Sequence, residues 1–208
     1  MKAVLQDEYG GAEVLQVGEA ENPVPGKHQV VVKVAATSVN RADIIQREGN
    51  YNQPPGDSPI LGLEVAGVVD ELGAGVMGFK TGERVMCLVG GGGYAEYASA
   101  YASHLMKIPK SMSFEQAACV SETYITAYLN VFTIACLKDG ETVLLHGGGG
   151  GVNTSAIQLC KTLMPDVTVL VTASTGKTDR VRALGADHVI DYKTEDFSEA
   201  VRTFTSKK

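Results

Sequence analysis

No apolar run in this 208-residue chain approaches the roughly 20 residues of a membrane-spanning helix, so no span is expected. The N-terminus lacks a signal-peptide core as well, since acids arrive at Asp7 and Glu8 before an apolar stretch can build. Basic charge is scarce. Eighteen Lys and Arg against 24 Asp and Glu leave a net charge of −6, which gives a nucleic acid no cationic footprint. Cysteine is sparse too: Cys87, Cys119, Cys136 and Cys160 stand apart with no C-x-x-C pair. That spacing speaks against a zinc site or a disulfide framework and for buried reduced thiols in a cytoplasmic protein. The rest, 44% hydrophobic and 20% charged, describes an ordinary globular protein with one large or two small domains.

What the chain has in quantity is glycine, 24 residues, of which Gly147 to Gly151 are consecutive. An apolar run, Val143-Leu-Leu, stops at this tract, and a helical pattern follows as far as Cys160. Strand, tight turn and helix N-terminus in that order form a cradle for a dinucleotide pyrophosphate. Glycine lets the backbone approach the phosphates, and the free N–H groups and helix dipole favour negative charge. A flexible linker would also be glycine-rich, but would not be framed by an apolar strand and an amphipathic helix. Written as Gly148-x-Gly150-x-x-Asn153, the motif departs from its usual form at the third small position. Asn153 is larger and polar, so weaker coenzyme binding is expected, and Asn153→Gly is expected to tighten binding or raise stability.

Two styles of sequence meet near residue 120. Before it, short β segments are expected over Ala3–Gln6, Val14–Val17, Gln29–Val39, Val65–Leu72, Arg84–Val89 and Tyr94–Ala98. Turn material such as Asn22-Pro-Val-Pro-Gly26 separates them, and Asn40 to Gly49 reads as a short capped helix. After it, helices over Glu122–Cys136, Val152–Leu163, Lys177–Leu184 and Glu195–Phe204 alternate with strands over Thr142–His146, Val167–Thr172 and His188–Ile190. That alternation means βαβ units and a parallel sheet. Three strands are half of a doubly wound dinucleotide-binding sheet. The chain therefore reads as truncated within that domain, with an edge left open to aggregation or pairing.

Taken in order, Asn40-Arg-Ala-Asp43, Gly49-Asn-Tyr-Asn-Gln-Pro-Pro-Gly56, Leu61-Gly-Leu-Glu-Val-Ala-Gly-Val-Val69, Gly92-Gly-Tyr-Ala-Glu-Tyr97 and the glycine loop running to Ala156-Ile-Gln-Leu159 carry a family resemblance. The whole chain resembles the zinc-free quinone oxidoreductases of the medium-chain dehydrogenase/reductase superfamily, the branch related to zeta-crystallin and the p53-inducible enzyme. The resemblance implies an α/β chain: an N-terminal GroES-like, β-rich substrate domain over 1–120, then the first half of a Rossmann doubly wound parallel sheet over 121–208. It implies hydride transfer from NADPH to a quinone or enone. A homodimer of the family type is expected only with the C-terminal segment present. Zinc-dependent relatives carry cysteine where this chain has Asn40 and histidine where it has Leu63. Leu63 can ligate nothing, so no metal is expected, and hydrogen-bond donors must steady the developing oxyanion.

By the same resemblance Tyr51 faces both the nicotinamide and the substrate carbonyl, where its hydroxyl could donate; a loop tyrosine can equally be a packing residue. Asn40 is a catalytic and substrate-binding candidate that can equally serve as an N-cap. Asp43 either orients substrate-binding neighbours or is a first-turn acid favoured by the helix dipole. Glu64 has a cleft role or a structural one. Thr126 matches a position touching the nicotinamide, and Gly148, Gly150, Gly151 and Val152 hold the pyrophosphate. Coenzyme choice is read at Val171-Thr-Ala-Ser-Thr-Gly-Lys177, where an NAD enzyme places an acid. Here Ala173 and Ser174 are followed by Lys177, with Tyr192 where relatives flank a 2′-phosphate. NADPH is therefore expected, with Asp179 the counter-signal. The competing readings are an enoyl reductase of the same superfamily and an inactive, truncated cofactor-binding form.

Overall fold

The computed structural model describes residues 1–206; Lys207 and Lys208, where the truncation expectation falls, lie outside the described residues. Two compact units divide after Glu122. In the first, β1 (Lys2–Leu5) pairs antiparallel with β2 (Gln16–Glu19). The main sheet contains β3 (Gln29–Thr37), β4 (Glu64–Leu72), β5 (Arg84–Leu88), β6 (Tyr97–Tyr101) and β7 (Leu105–Lys107). Its order is β6-β3-β4-β5-β7, with every pair antiparallel. Register shifts after Val31 and Val34 bend β3 against β4. Alternation along the strands sends Val30, Val32, Val65, Val69, Val85 and Cys87 to one core. Ala66 and Met86 go to the opposite face, where α2 (Phe114–Ala117) covers them through Ala117 and Ala118. Helix α1 (Arg41–Arg47) follows β3 directly, with Asn40 at its N-cap.

Helix α3 (Ser121–Tyr128) begins in the first unit and continues from Thr123 into the second, which then holds β8 (Thr142–His146), α4 (Gly151–Leu163), β9 (Thr168–Ala173), α5 (Thr178–Ala183), β10 (His188–Asp191) and α6 (Phe197–Thr205). Its three strands are parallel in the order β10-β9-β8. Numbered from β8, that is the 3-2-1 order of the first half of a doubly wound sheet. Central strand β9 is buried at all six positions, as a parallel strand covered on both faces must be. No helix among the described residues is long and apolar enough to cross a membrane.

The differences from the sequence reading have local causes. Val14 belongs to a short 3-10 turn, so β2 begins at Gln16. Tyr94 is tied to Leu61 through N–H···O=C at 2.9 Å, which delays β6 to Tyr97. Helix α2 was not anticipated, although Ser113-Phe-Glu-Gln116 is a capping box: Ser113 Oγ accepts from Gln116 N–H at 3.2 Å, and Gln116 Oε1 accepts from Ser113 N–H at 3.0 Å. The long helix expected to Cys136 stops at Tyr128 and continues as a π-helical stretch, Leu129–Ile134. Asn130 Nδ2 takes the Thr126 carbonyl at 2.8 Å, in competition with the α-helical N–H, and Ala135 N–H reaches back five residues to Asn130 O at 2.9 Å. The cysteines form no disulfide. Cys87 and Cys160 are buried as expected, whereas Cys119 and Cys136 are exposed. Burial pushes the Cys87 thiol up to about 12.

Candidate functional site

In the first unit the expected site residues gather around one buried carboxylate. Glu64 opens β4 with no exposed surface. It accepts from the Ser38 hydroxyl, from Asn40 Nδ2 at 2.9 Å and from Glu122 N–H at 2.9 Å. A charge buried this deeply is tolerable only with such donors in place. The same Asn40 Nδ2 lies 3.0 Å from Ser38 Oγ, which is itself bonded to Glu64, so one amide hydrogen points between the two oxygens. Turning the amide over would set its oxygen against the Glu64 carboxylate, so the orientation follows from charge. One amide hydrogen of Asn40 is therefore shared between Ser38 and Glu64, and the other has no partner among the described residues.

Asp43 forms the second layer. It is 2% exposed, and its Oδ2 accepts from Asn40 N–H at 2.7 Å and from the Tyr94 hydroxyl at 2.9 Å. Burial pushes its carboxyl above the ordinary range, against the Asn40 N–H and the Tyr94 hydroxyl, which pull it down. Glu122 is raised by burial first and by the Glu64 and Asp43 carboxylates next. The Tyr94 hydroxyl is raised by its own burial and by Asp43.

Tyr51 stands apart from this network. It is 38% exposed, and its hydroxyl has no hydrogen-bond partner among the described residues. It lines a cavity of about 430 Å³ together with Pro54, Asp57, Leu63, Leu88 and Val89. A free hydroxyl beside apolar walls can donate to an oxygen on a ring held there. No group of three or more His, Cys, Asp and Glu able to hold a metal occurs among the described residues.

In the second unit the chain leaves β8 through Gly147, whose φ of 79° is left-handed. Gly148 N–H donates to Thr172 O at 2.8 Å. A Cβ on Gly148 would overlap Val171 Cγ1 and lie 3.1 Å from Val181 Cγ1, so the loop lies hard against β9 and α5. Helix α4 starts at Gly151 after the Gly150 N-cap. Its first N–H groups, among them those of Gly151 and Val152, have no intrahelical acceptor. The cradle fits a pyrophosphate.

The strand-end residues also converge. Ala173 closes β9 and accepts from Tyr192 N–H at 3.2 Å; Ser174 accepts from Lys177 N–H at 2.8 Å. The Lys177 stem lies across Gly149, where a Cβ would overlap its Cδ. Asp179 is paired with Arg182 Nη1 at 2.7 Å and lies inside α5, away from the strand end. Thr126 lies in α3 within the same unit, half-buried.

Residues 26–110 match the alcohol dehydrogenase GroES-like domain family. Over 95% of its length the chain is 38% identical to the quinone oxidoreductase of Lama guanicoe, covering 60% of that protein. The whole chain is 35% identical to the synaptic vesicle membrane protein VAT-1 homolog-like of Mus musculus and covers 49% of it. The solved Escherichia coli quinone oxidoreductase complexed with NADPH superposes with a TM-score of 0.89 at 31% identity, over 100% of this chain and 64% of that one. A solved NAD-dependent alcohol dehydrogenase superposes equally well, at 33% identity over 68% of that chain. The chain belongs to the medium-chain dehydrogenase/reductase superfamily, and quinone oxidoreductases are among its relatives. It spans about half the length of the curated relatives it matches.

Within that fold, Asn153 has a use that the motif did not suggest. Its Nδ2 donates to the His146 carbonyl at the end of β8, tying the helix start to the strand. The expectation that glycine would improve this position is therefore reversed. Asn153→Gly loses one hydrogen bond and places glycine in a helix, together about 1–2 kcal/mol of stability. Thermal melts of the two chains check this; an unchanged or raised melting temperature would show that the bond contributes nothing. Ser38 and Tyr94 are the residues that the sequence reading passed over. The only signal for them was the need of two buried acids for donors, and Tyr94 lies 51 residues from Asp43.

Proposed function

We propose that this chain serves the NADPH-dependent reduction of a quinone or related enone, without zinc. The observation that carries the reading is the end of β9, where no acid stands and Lys177 reaches across the glycine loop. An NAD enzyme would hold the ribose 2′-OH with a carboxylate there; Ser174, Lys177 and Tyr192 suit a 2′-phosphate instead. Gly148, Gly150, Gly151 and Val152 hold the pyrophosphate, and Thr126 contacts the nicotinamide end. Bound NADPH supplies the hydride. The oxyanion that hydride addition creates needs a donor. Tyr51 offers one, because its hydroxyl has no partner among the described residues and it lines the cavity. The unshared amide hydrogen of Asn40 is a second donor, and Asp43 holds the site in shape. Leu63, which can ligate nothing, suits a reaction without a metal, and a cytoplasmic setting belongs to the same reading.

Lys177→Met tests the coenzyme part, because it keeps the stem on Gly149 and removes only the charge. NADPH affinity is expected to fall by the roughly 1.5–3 kcal/mol of a charged hydrogen bond, with NADH unaffected. Titration of both coenzymes decides, and an equal loss for the two would sink the 2′-phosphate assignment.

A further inference from the structure

The chain around Tyr51 has no regular structure of its own, and residues 49–60 carry Pro54, Pro55 and left-handed Gly49 and Gly56. The glycines at 90 and 91 face this loop. Neither has a left-handed φ, so no turn demands glycine there. Close approach does. A Cβ on Gly91 would overlap the Ser58 carbonyl oxygen, 3.0 Å from Ile60 O and 2.8 Å from Gln53 Nε2. A Cβ on Gly90 would overlap the Asp57 carboxylate. Gln53, two residues after Tyr51, donates from Nε2 to Ser58 O and to Gly90 O at 3.2 Å, closing the loop on itself and onto the glycines. Gly92 N–H adds a bond to Ile60 O at 2.6 Å.

We propose that Gly90, Gly91 and Gln53 are positioning residues, a seat and a clasp that set the height of the Tyr51 loop over its cavity. This rests on the reading of Tyr51 as hydrogen-bond donor. Ser58 O and Ile60 O are backbone atoms, so a side chain at Gly91 can be accommodated only by lifting the loop. Tyr51, Pro54 and Asp57 line the cavity together with Gly90, so a lifted loop displaces the hydroxyl from the substrate. A misplacement of about 1 Å costs on the order of 100-fold in rate.

The test compares Gln53→Leu, Gly91→Ala, Tyr51→Phe and the double variant Gln53→Leu/Tyr51→Phe, with Met77→Ala as control. Met77 is an exposed loop residue of the same unit that lines neither the cavity nor the loop's seat. NADPH oxidation by 1,4-benzoquinone is followed in the full chain, alongside hydrogen–deuterium exchange of the peptide covering residues 49–60. Gln53→Leu and Gly91→Ala are expected to lower kcat about 100-fold with the KM for NADPH unchanged, and to raise exchange in that peptide at least tenfold. The control moves neither. The double variant is expected to be no slower than Tyr51→Phe, because Gln53 acts through Tyr51. Independent, multiplying losses in the double variant would overturn the proposal, as would unchanged exchange in both seat variants. Full turnover by Tyr51→Phe would instead refute the donor reading, and the exchange measurement would still decide whether the seat exists.

Discussion

Glu64→Leu is expected to be the most destabilising single change in the first unit, at about 3 kcal/mol. Three donors converge on this carboxylate: the Ser38 hydroxyl, Asn40 Nδ2 and Glu122 N–H. A buried donor left unsatisfied costs about 1–3 kcal/mol. The hydroxyl can rotate to a new acceptor; the amide and the backbone N–H cannot do so as easily. Two effects oppose the loss. Leucine needs no hydrogen bonds, and removing one acid relieves the Glu122 carboxyl, which Glu64 helps to raise. Neither relief gives the orphaned donors a partner, so the loss dominates. Glu64→Gln keeps one acceptor oxygen and should fall between leucine and wild type. Urea unfolding of the three chains gives the order, and a Glu64→Leu chain within 1 kcal/mol of wild type on the scale of ordinary surface changes would mean that the network is dispensable.

Gly148→Ala is expected to weaken NADPH binding at least tenfold and to cost about 1–3 kcal/mol of stability as an overpacked core change. The added methyl meets Val171 Cγ1 and Val181 Cγ1, and both valines are fully buried. Val171 is β-branched in the central strand and cannot swing aside, so the glycine loop has to lift instead. Lifting turns its N–H groups away from the phosphates they would cradle. Gly150→Ala is the packing control, read by melting alone because Gly150 also holds the pyrophosphate: its nearest neighbour is Gly147 O at 3.4 Å, and its φ of −90° suits any residue. Melting without coenzyme separates the packing cost from the binding cost measured by titration. If Gly148→Ala melts no lower than Gly150→Ala, the close approach to Val171 is not what the loop requires.

The parts of this protein legible in its sequence are those whose signal is local. Alternating apolar segments, Gly147 to Gly151 and the apolar run of β9 announced a parallel βαβ unit, because strand period, turn chemistry and helix start all lie within about 30 residues. The acid-free strand end at Ala173 and Ser174 was visible for the same reason. Asn40 and Asp43 were found as residues but not in their geometry. Which hydrogens of Asn40 remain for a substrate depends on Ser38 and on Glu64, 24 residues away. Asn153 was misjudged because its partner, the His146 carbonyl, is a backbone atom that no side-chain pattern advertises.

The amino-acid sequence by itself determined the strands, the helices that follow them and the glycine turn after β8, since backbone preference and hydrophobic period act over a few residues. Only the tertiary structure decided how the buried charges are satisfied and where close approach demands glycine. A carboxylate such as Glu64 accepts any donor that folding brings near, and the ones it received, Ser38 and Glu122, are 26 and 58 residues distant. The same holds for Gly91, whose missing side chain is explained by Ser58 and Ile60 across the fold.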